Sequence, residues 1–481
     1  MPASLTATPV LIDGTRLTCA QVRLVARDGG QVEVHPDGLE RAQRAREVIE
    51  RVAATRPVYG RTTGVGANRA VPAGDTGHGL RLLRSHAGGA GPVLDPARAR
   101  AMLIVRLNQL AAGGSGVEPA LLGVLAQALN QGLAPLARMT GSIGTGDLPA
   151  LASAALCVLG ERPWQGGTMP PFGMDPADAL AFMSSNAATI GEAALACAEL
   201  GELLDAAIVI AALSFLVVSG SPEAYALAVQ EARAHTGQGR VAARMRALLA
   251  GQPVKPARIQ DPYGYRALPQ VHGPAADAVA GLDRVLGTEL NAAAENPLVD
   301  AAAGDVLHNG NFYTASLGLA LDATRAALFQ TAALSAARLS TLMEPVFTGQ
   351  RPFLSDAEPA SSGVMMLEYV THSALADIRR LAAPAALGSA VLSRGLEEQA
   401  NFSTQAARAA TDTVSAYRIV LSCELVAAVR ALGLRGTPPA PGPLEHAYEL
   451  AATALDPRIE DRPLDPDIEI ADRLLSGLAA L

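Results

Sequence analysis

Gly141-Ser142-Ile143-Gly144-Thr145-Gly146-Asp147-Leu148-Pro149-Ala150-Leu151-Ala152 decides how the rest of the chain is read. Thr145 stands between two glycines, an acid follows at once, and an alanine-rich run comes after it. Glycine on either side opens backbone conformations that other residues resist. Asp147 suits a helix N-cap and Pro149 the first helical turn. Thr145 is therefore expected near the positive end of a helix, where negative charge is stabilised. Taken alone the stretch is a turn before a helix; its surroundings make it a candidate site.

Composition narrows the class. The chain has 481 residues, enough for one large domain or two with a substantial core. Its formal net charge of -8 comes without a block of like charge, which points away from nucleic acid and from anionic membrane surfaces. Aromatic residues make up only 4%, so the core is expected to be closely packed helices of Ala, Leu and Val. Cys19, Cys157, Cys197 and Cys423 lie far apart in apolar surroundings and are expected to be buried free thiols. No charged-then-apolar leader opens the sequence, and the uncharged run 206–222 contains Ser214, Ser219 and Gly220, as a buried helix would. A cytoplasmic protein is expected.

Along the chain, residues 5–36 read as short strands and turns around Asp13-Gly14 and Asp28-Gly29-Gly30, with a helix expected from Leu39 to Ala54. A glycine-rich loop follows, Pro57-Val58-Tyr59-Gly60-Arg61-Thr62-Thr63-Gly64-Val65-Gly66, without the G-x-G-x-x-G context of a dinucleotide site. The second half is helical: 319–344 and 397–432 run without Gly or Pro, and prolines mark loops near 253–269, 345–359 and 438–443. No H-E-x-x-H, Cys/His cluster or P-loop pattern is present, so no metal or nucleotide cofactor is expected.

The opening stretch resembles the G-S-x-G-A-S-G-D-L-A-P-L-A signature of the aromatic amino acid ammonia-lyases and aminomutases. In that family the Ala-Ser-Gly tripeptide cyclises and loses water to give a methylidene-imidazolone electrophile. Here Gly144-Thr145-Gly146 is the best match, with one residue fewer, threonine for serine, and the Ala-Pro pair reversed to Pro149-Ala150. Tyr59-Gly60 to Gly66 is similar to the family's Y-G-x-N-T-G-F-G, and residues 82–91 (L-L-R-S-H-A-G-G-A-G) to the R-S-H-A-A-G of histidine lyases. Arg106-Leu107-Asn108 and Gly114-Ser115-Gly116-Val117 continue the likeness in order. It spans nearly the whole chain.

The resemblance also suggests roles. Tyr59 matches the family's catalytic tyrosine, and a phenol of lowered pKa could serve as base. The block from Gln260 to Gly273, Q-D-P-Y-G-Y-R-A-L-P-Q-V-H-G, resembles Q-D-x-Y-S-x-R-x-x-P-Q-V-x-G. Arg266 then matches the carboxylate-binding arginine, whose planar fork suits a bidentate pair, while Gln260 and Tyr263 match polar and phenolic active-site residues. Asn309-Gly310-Asn311-Phe312 is similar to G-G-N-F, which makes Asn311 and Phe312 substrate-side candidates; a core Phe is the alternative. Glu397 aligns with the acid of Q-E-D-H, and with His86 it suggests a polar or cationic group on the substrate; a surface acid paired with an arginine is the alternative. Where the family reads L-A-L-x-N-G-T, this chain has Leu180-Ala181-Phe182-Met183-Ser184-Ser185-Asn186, so Ser184 stands at the active-site asparagine and Asn186 comes two positions later.

The resemblance implies a mainly α fold with a long central helix bundle and a smaller mixed N-terminal region. Residues 1–200 would carry the Tyr59 loop and the Thr145 signature, and 201–481 the Gln260–Gly273 and Glu397 motifs. It further implies a homotetramer acting on a small amino or carboxylic acid. Three functions follow: a lyase or isomerase without the ordinary electrophile, using Tyr59 with Tyr263 and Thr145; a conventional ammonia-lyase or aminomutase with a group derived from Gly144-Thr145-Gly146; or an inactive binding homologue. The first is the reading adopted, with no cofactor expected.

Overall fold

The computed structural model describes residues 8–74 and 77–481, and the chain is mainly helical, as the alanine-rich composition implies. Its strands are short and form two-stranded pairs: Val10–Ile12 runs parallel to Val32–Val34, and Leu298–Asp300 antiparallel to Asp305–Leu307. The longest helices are Ala187–Val217, Ala315–Met343 and Ser403–Arg435.

Two compact units divide the residues. The first runs to Ala198 and adds Leu282–Asp322 and Pro384–Arg408; the second comprises Glu199–Gly281, Ala323–Ala383 and Ala409–Leu481. The units are discontinuous in sequence, whereas the expected regions were contiguous. Every strand among the described residues belongs to the first unit.

Within the first unit, helix Pro36–Ala53 lays Ala45, Val48, Ile49 and Val52 against Val299 and Val306 of the 298–307 hairpin, with Val58 in the same cluster. Burying such side chains contributes roughly 1.5–3 kcal/mol each. Arg56 clips the seam by donating to the Asp305 carboxylate at 2.6 Å and to the Val306 carbonyl at 2.5 Å. This packing puts the Tyr59 loop beside the segment that follows the hairpin.

Three local expectations need correction. A helix, Cys19–Arg27, lies in the stretch expected to be strands and turns. Thr18 and Gln21 form a capping box there, a signal visible in the residues themselves. Residues 5–7 of that stretch lie outside the described residues. The last long helix starts at Ser403, so Glu397 is not helical; it bridges Leu392 in an irregular segment. Among the described residues, helix Ala187–Val217 belongs to the one stretch long and apolar enough to cross a membrane, and its most apolar part is largely buried inside the chain.

Candidate active site

The Gly141–Asp147 loop is held from several directions. The Gly144 carbonyl accepts from Asn401 Nδ2 at 2.8 Å and from Thr314 Oγ1 at 3.2 Å. The Gly146 N–H donates to Asn186 Oδ1 at 2.9 Å, and Asn186 Nδ2 donates in turn to the Phe312 carbonyl. The Asp147 N–H donates to the Ser185 carbonyl at 2.7 Å. Gly144 and Gly146 sit at φ +88° and +124°, which β-carbon sterics disfavour in other residues.

Asp147 occupies the N-cap position of helix Leu148–Val158 but makes no side-chain cap there. Its buried carboxylate instead accepts from the Thr189 N–H at 2.7 Å and from Thr189 Oγ1 at 2.9 Å, in the first turn of Ala187–Val217. The expected cap is thus made on a different helix. Burial pushes this carboxyl up, and the Thr189 bonds draw it part of the way back.

Thr145 lines a cavity of about 630 Å³ with Tyr59, Ser184, His308, Asn309, Phe312 and Glu397. A second cavity of about 730 Å³ shares Tyr59, Leu148, Leu180 and Glu397 with it and adds His78, Arg81 and His86. The structure therefore brings together Tyr59, His86, Thr145, Ser184, Phe312 and Glu397, all in the first unit. Asn311 is exposed and lines neither cavity. Gln260, Tyr263 and Arg266 belong to the second unit and line neither.

Tyr59 departs from expectation. Its hydroxyl accepts from the Gly66 N–H at 2.8 Å. Burial raises the phenol above its ordinary value of 10; Gly66 pulls it down, Glu397 pushes it up, and Arg69 pulls it down again. The condition for a resting base, a lowered phenol, is not met within this chain, and the oxygen holds its proton at neutral pH.

His308 joins the site without having been singled out in the sequence. Its Nε2 accepts from the Tyr59 N–H at 3.2 Å, and the two rings meet edge to face. Burial and then Arg56 hold this imidazole below its ordinary value, leaving it neutral with Nδ1 protonated. The signal was its place just ahead of the Asn309–Phe312 motif. Asn186 is the second omission: it, and not Ser184, bonds the 144–146 backbone, while Ser184 lines the cavity and bonds the Asn296 backbone at 3.4 Å.

In the second unit the Gln260–Gly273 motif folds into a turn and a helix start. The Arg266 guanidinium stacks on the Tyr263 ring at 4.3 Å, and its buried Nε has no hydrogen-bond partner among the described residues. Tyr263 and Gln260 are exposed. Beneath them, Arg338 donates to the Gly264 carbonyl at 3.2 Å and to both Glu424 oxygens at 2.6 and 2.7 Å.

A long-helix chain whose pocket is built around a glycine-flanked hydroxyl and a loop tyrosine is the architecture of the ammonia-lyases. Residues 17–453 match the family model described as aromatic amino acid lyase. The chain is 33% identical to the histidine ammonia-lyase of Anaeromyxobacter dehalogenans (strain 2CP-C), over 97% of this chain and 98% of that one. It is 34% identical to the histidine ammonia-lyase of Symbiobacterium thermophilum, over 96% of each. Among solved structures, tyrosine aminomutase from Streptomyces globisporus superimposes with TM-score 0.91 at 28% identity, covering 98% of this chain and 97% of that one. The Treponema denticola ergothionase, an ergothioneine-degrading enzyme seen with desmethyl-ergothioneine sulfonic acid, gives 0.90 at 26%, covering 98% and 100%. The chain belongs to the aromatic amino acid lyase family and is a lyase of the ammonia-lyase type.

Family enzymes build an imidazolone electrophile from their own backbone. The residues here depart from the ordinary tripeptide. Glycine, not alanine, stands first, at φ +88°; a Cβ there would have to displace the side-chain ends of Asn401 and Ser403. The central position carries threonine, whose methyl would stay on the exocyclic carbon.

Proposed function

We propose that this lyase acts on an amino acid or related carboxylic acid by proton-transfer chemistry at carbon, with ordinary backbone at 144–146. The observation that carries the proposal is threonine at 145, whose methyl crowds the exocyclic carbon, in a loop one residue shorter than the family signature. In an elimination the proton leaves one carbon while the amine or other group departs from its neighbour. Tyr59 is the residue assigned to move that proton. It must first give up its own, which the Gly66 N–H and Arg69 favour and burial opposes. Thr145 offers a hydroxyl to substrate or water, and neutral His308 offers an N–H.

The substrate carboxylate is assigned to Arg266, with Gln260 and Tyr263 beside it, reaching the Tyr59 pocket from another chain of the tetramer; its Nε, unpartnered among the described residues, supports this. Glu397 makes no side-chain hydrogen bond or ion pair with any described residue, and with His86 it is assigned to a polar or cationic substrate group. That assignment accords with the histidine ammonia-lyase relatives. A cytoplasmic homotetramer is part of the same proposal, supported by exposed apolar side chains such as Ile259 (96%), Leu387 (83%) and Val346 (77%). Light scattering is expected to give four chains per particle.

One observation favours a second reading, in which Gly144-Thr145-Gly146 cyclises. The Gly144 carbonyl takes two donors and the Gly146 N–H gives to Asn186, a polarisation that also suits ring closure. Intact mass separates the two. The encoded mass is expected; a deficit of two waters, about 36 Da, absent from Thr145→Ala in its dehydration half, would replace the first reading with the second.

A further inference from the structure

Cys19 and Cys197 are 178 residues apart in sequence, yet they meet in the first unit. Cys19 opens helix Cys19–Arg27, Cys197 lies within Ala187–Val217, and Asp283 within Leu268–Glu289. The two Sγ atoms and a carboxylate oxygen of Asp283 all lie within 4.8 Å of one another. Both cysteines are 4% exposed, whereas Asp283 is open to solvent. None of the three lines either active-site cavity.

We propose that Cys19, Cys197 and Asp283 form a binding site for a thiophilic divalent cation of the Zn²⁺ type. Two thiolates and a carboxylate are ordinary Zn²⁺ ligands, with bonds near 2.3 Å to sulfur and about 2.0–2.2 Å to oxygen. Tetrahedral geometry then spaces the ligands roughly 3.5–3.8 Å apart. The observed cluster closes to this by rotamer adjustments of the order of 1 Å. Ca²⁺ and Mg²⁺ require oxygen-rich shells, which two cysteines do not supply.

Without a cation the Cys197 hydrogen bond, burial and Asp283 push the Cys19 thiol up, and one local feature works the other way. Cys19 sits in the first turn of a nine-residue helix with a complete capping box, where negative charge is stabilised. Asp283 marks the entry path, and water from that side completes the fourth position. Binding forms two metal–sulfur bonds and one metal–oxygen bond and releases the two thiol protons to solvent. Three helices distant in sequence would then be clipped at one point, away from the site that handles substrate.

Cobalt titration tests this. The whole protein, reduced and stripped with a chelator, should take up one Co²⁺ per chain with thiolate-to-cobalt absorption in the near ultraviolet, and Zn²⁺ should displace it. Cys19→Ser and Cys197→Ser should abolish the absorption, while Cys157→Ser and Cys423→Ser should keep it. Asp283→Asn, at an exposed position that the fold tolerates, should weaken affinity roughly tenfold or more. No thiolate absorption in the wild type, absorption that survives Cys19→Ser, or an unchanged affinity in Asp283→Asn would each overturn the site. A Cys19–Cys197 disulfide in protein that takes up no metal would do the same. If the serine variants do not fold, the wild-type titration and Asp283→Asn still decide it.

Discussion

Each unit buries an arginine–glutamate pair, and the two pairs are built differently. In the second unit Glu424 is fully enclosed, and both its oxygens are used: Arg338 donates to each, Ser214 Oγ donates to one at 2.8 Å and Ser335 Oγ to the other at 2.5 Å. In the first unit Arg106 donates to Glu295 Oε1 at 3.0 Å and to the Ala181 and Phe182 carbonyls, but Glu295 Oε2 has no hydrogen-bond partner among the described residues. A buried carboxylate with every lone pair engaged keeps its charge cheaply; one with an idle oxygen does not. Protonation follows the same division. Burial lowers Arg338, but Glu424 outweighs it and the guanidinium ends up raised. Burial wins at the other pair, so that Glu295 is raised and Arg106 lowered.

The largest effect should come from breaking the complete pair. Glu424→Gln leaves the Arg338 charge enclosed without its counter-ion, and such breakage costs about 3–5 kcal/mol. Urea unfolding should show a midpoint well below wild type. An unchanged midpoint would mean that the pair is ornamental and that the contrast between the units is empty.

Next in size is a change on the turn that the complete pair supports. Arg338 holds the Gly264 carbonyl, two residues before Arg266. Arg266→Ala should remove charge-assisted bonds to the substrate carboxylate worth about 2–3 kcal/mol, a loss of roughly 30- to 150-fold in kcat/KM. The loss should fall mainly on KM, and stability should hold because the guanidinium anchors nothing beneath it. An equal kcat/KM in both proteins on an acidic substrate would remove Arg266 from its assigned role.

Which parts of this were legible in the sequence follows from the range of the interactions. The ordered motifs from Tyr59 to Glu397 carried the helical fold and most cavity residues, because such motifs encode local backbone and contiguous side chains. Asn186 was missed as the partner of Gly146 because contact depends on how the Met183–Asn186 turn aims two neighbouring polar groups, which spacing does not reveal. Asp147 was expected to cap its own helix, yet the better donors were on Thr189, 42 residues on. His308 carries no motif; packing of the 36–53 helix on the 298–307 hairpin brings it to Tyr59. The meeting of Cys19 with Cys197 is likewise set by helix packing alone.

The smallest effect sharpens the comparison most. Glu295 is raised above the ordinary carboxyl value of 4.5 by burial, and Arg106 only partly reverses this. Between 4.5 and the raised native value, the folded chain keeps a proton that the unfolded chain has shed. Stability therefore falls as pH rises through that window and is greatest below it. Glu295→Gln mimics the protonated form, and Arg106 keeps the Ala181 and Phe182 carbonyls and Gln109 Oε1. The substitution should cost less than Glu424→Gln at neutral pH, since three neutral acceptors still solvate the Arg106 guanidinium. Relative to wild type it should gain ground as pH rises through the window, because the wild type alone pays to ionise there. Denaturation midpoints of both proteins across a pH series read this directly. A deficit in Glu295→Gln as large as in Glu424→Gln, or one that widens with rising pH, would show that the first unit's pair is as complete as the second's.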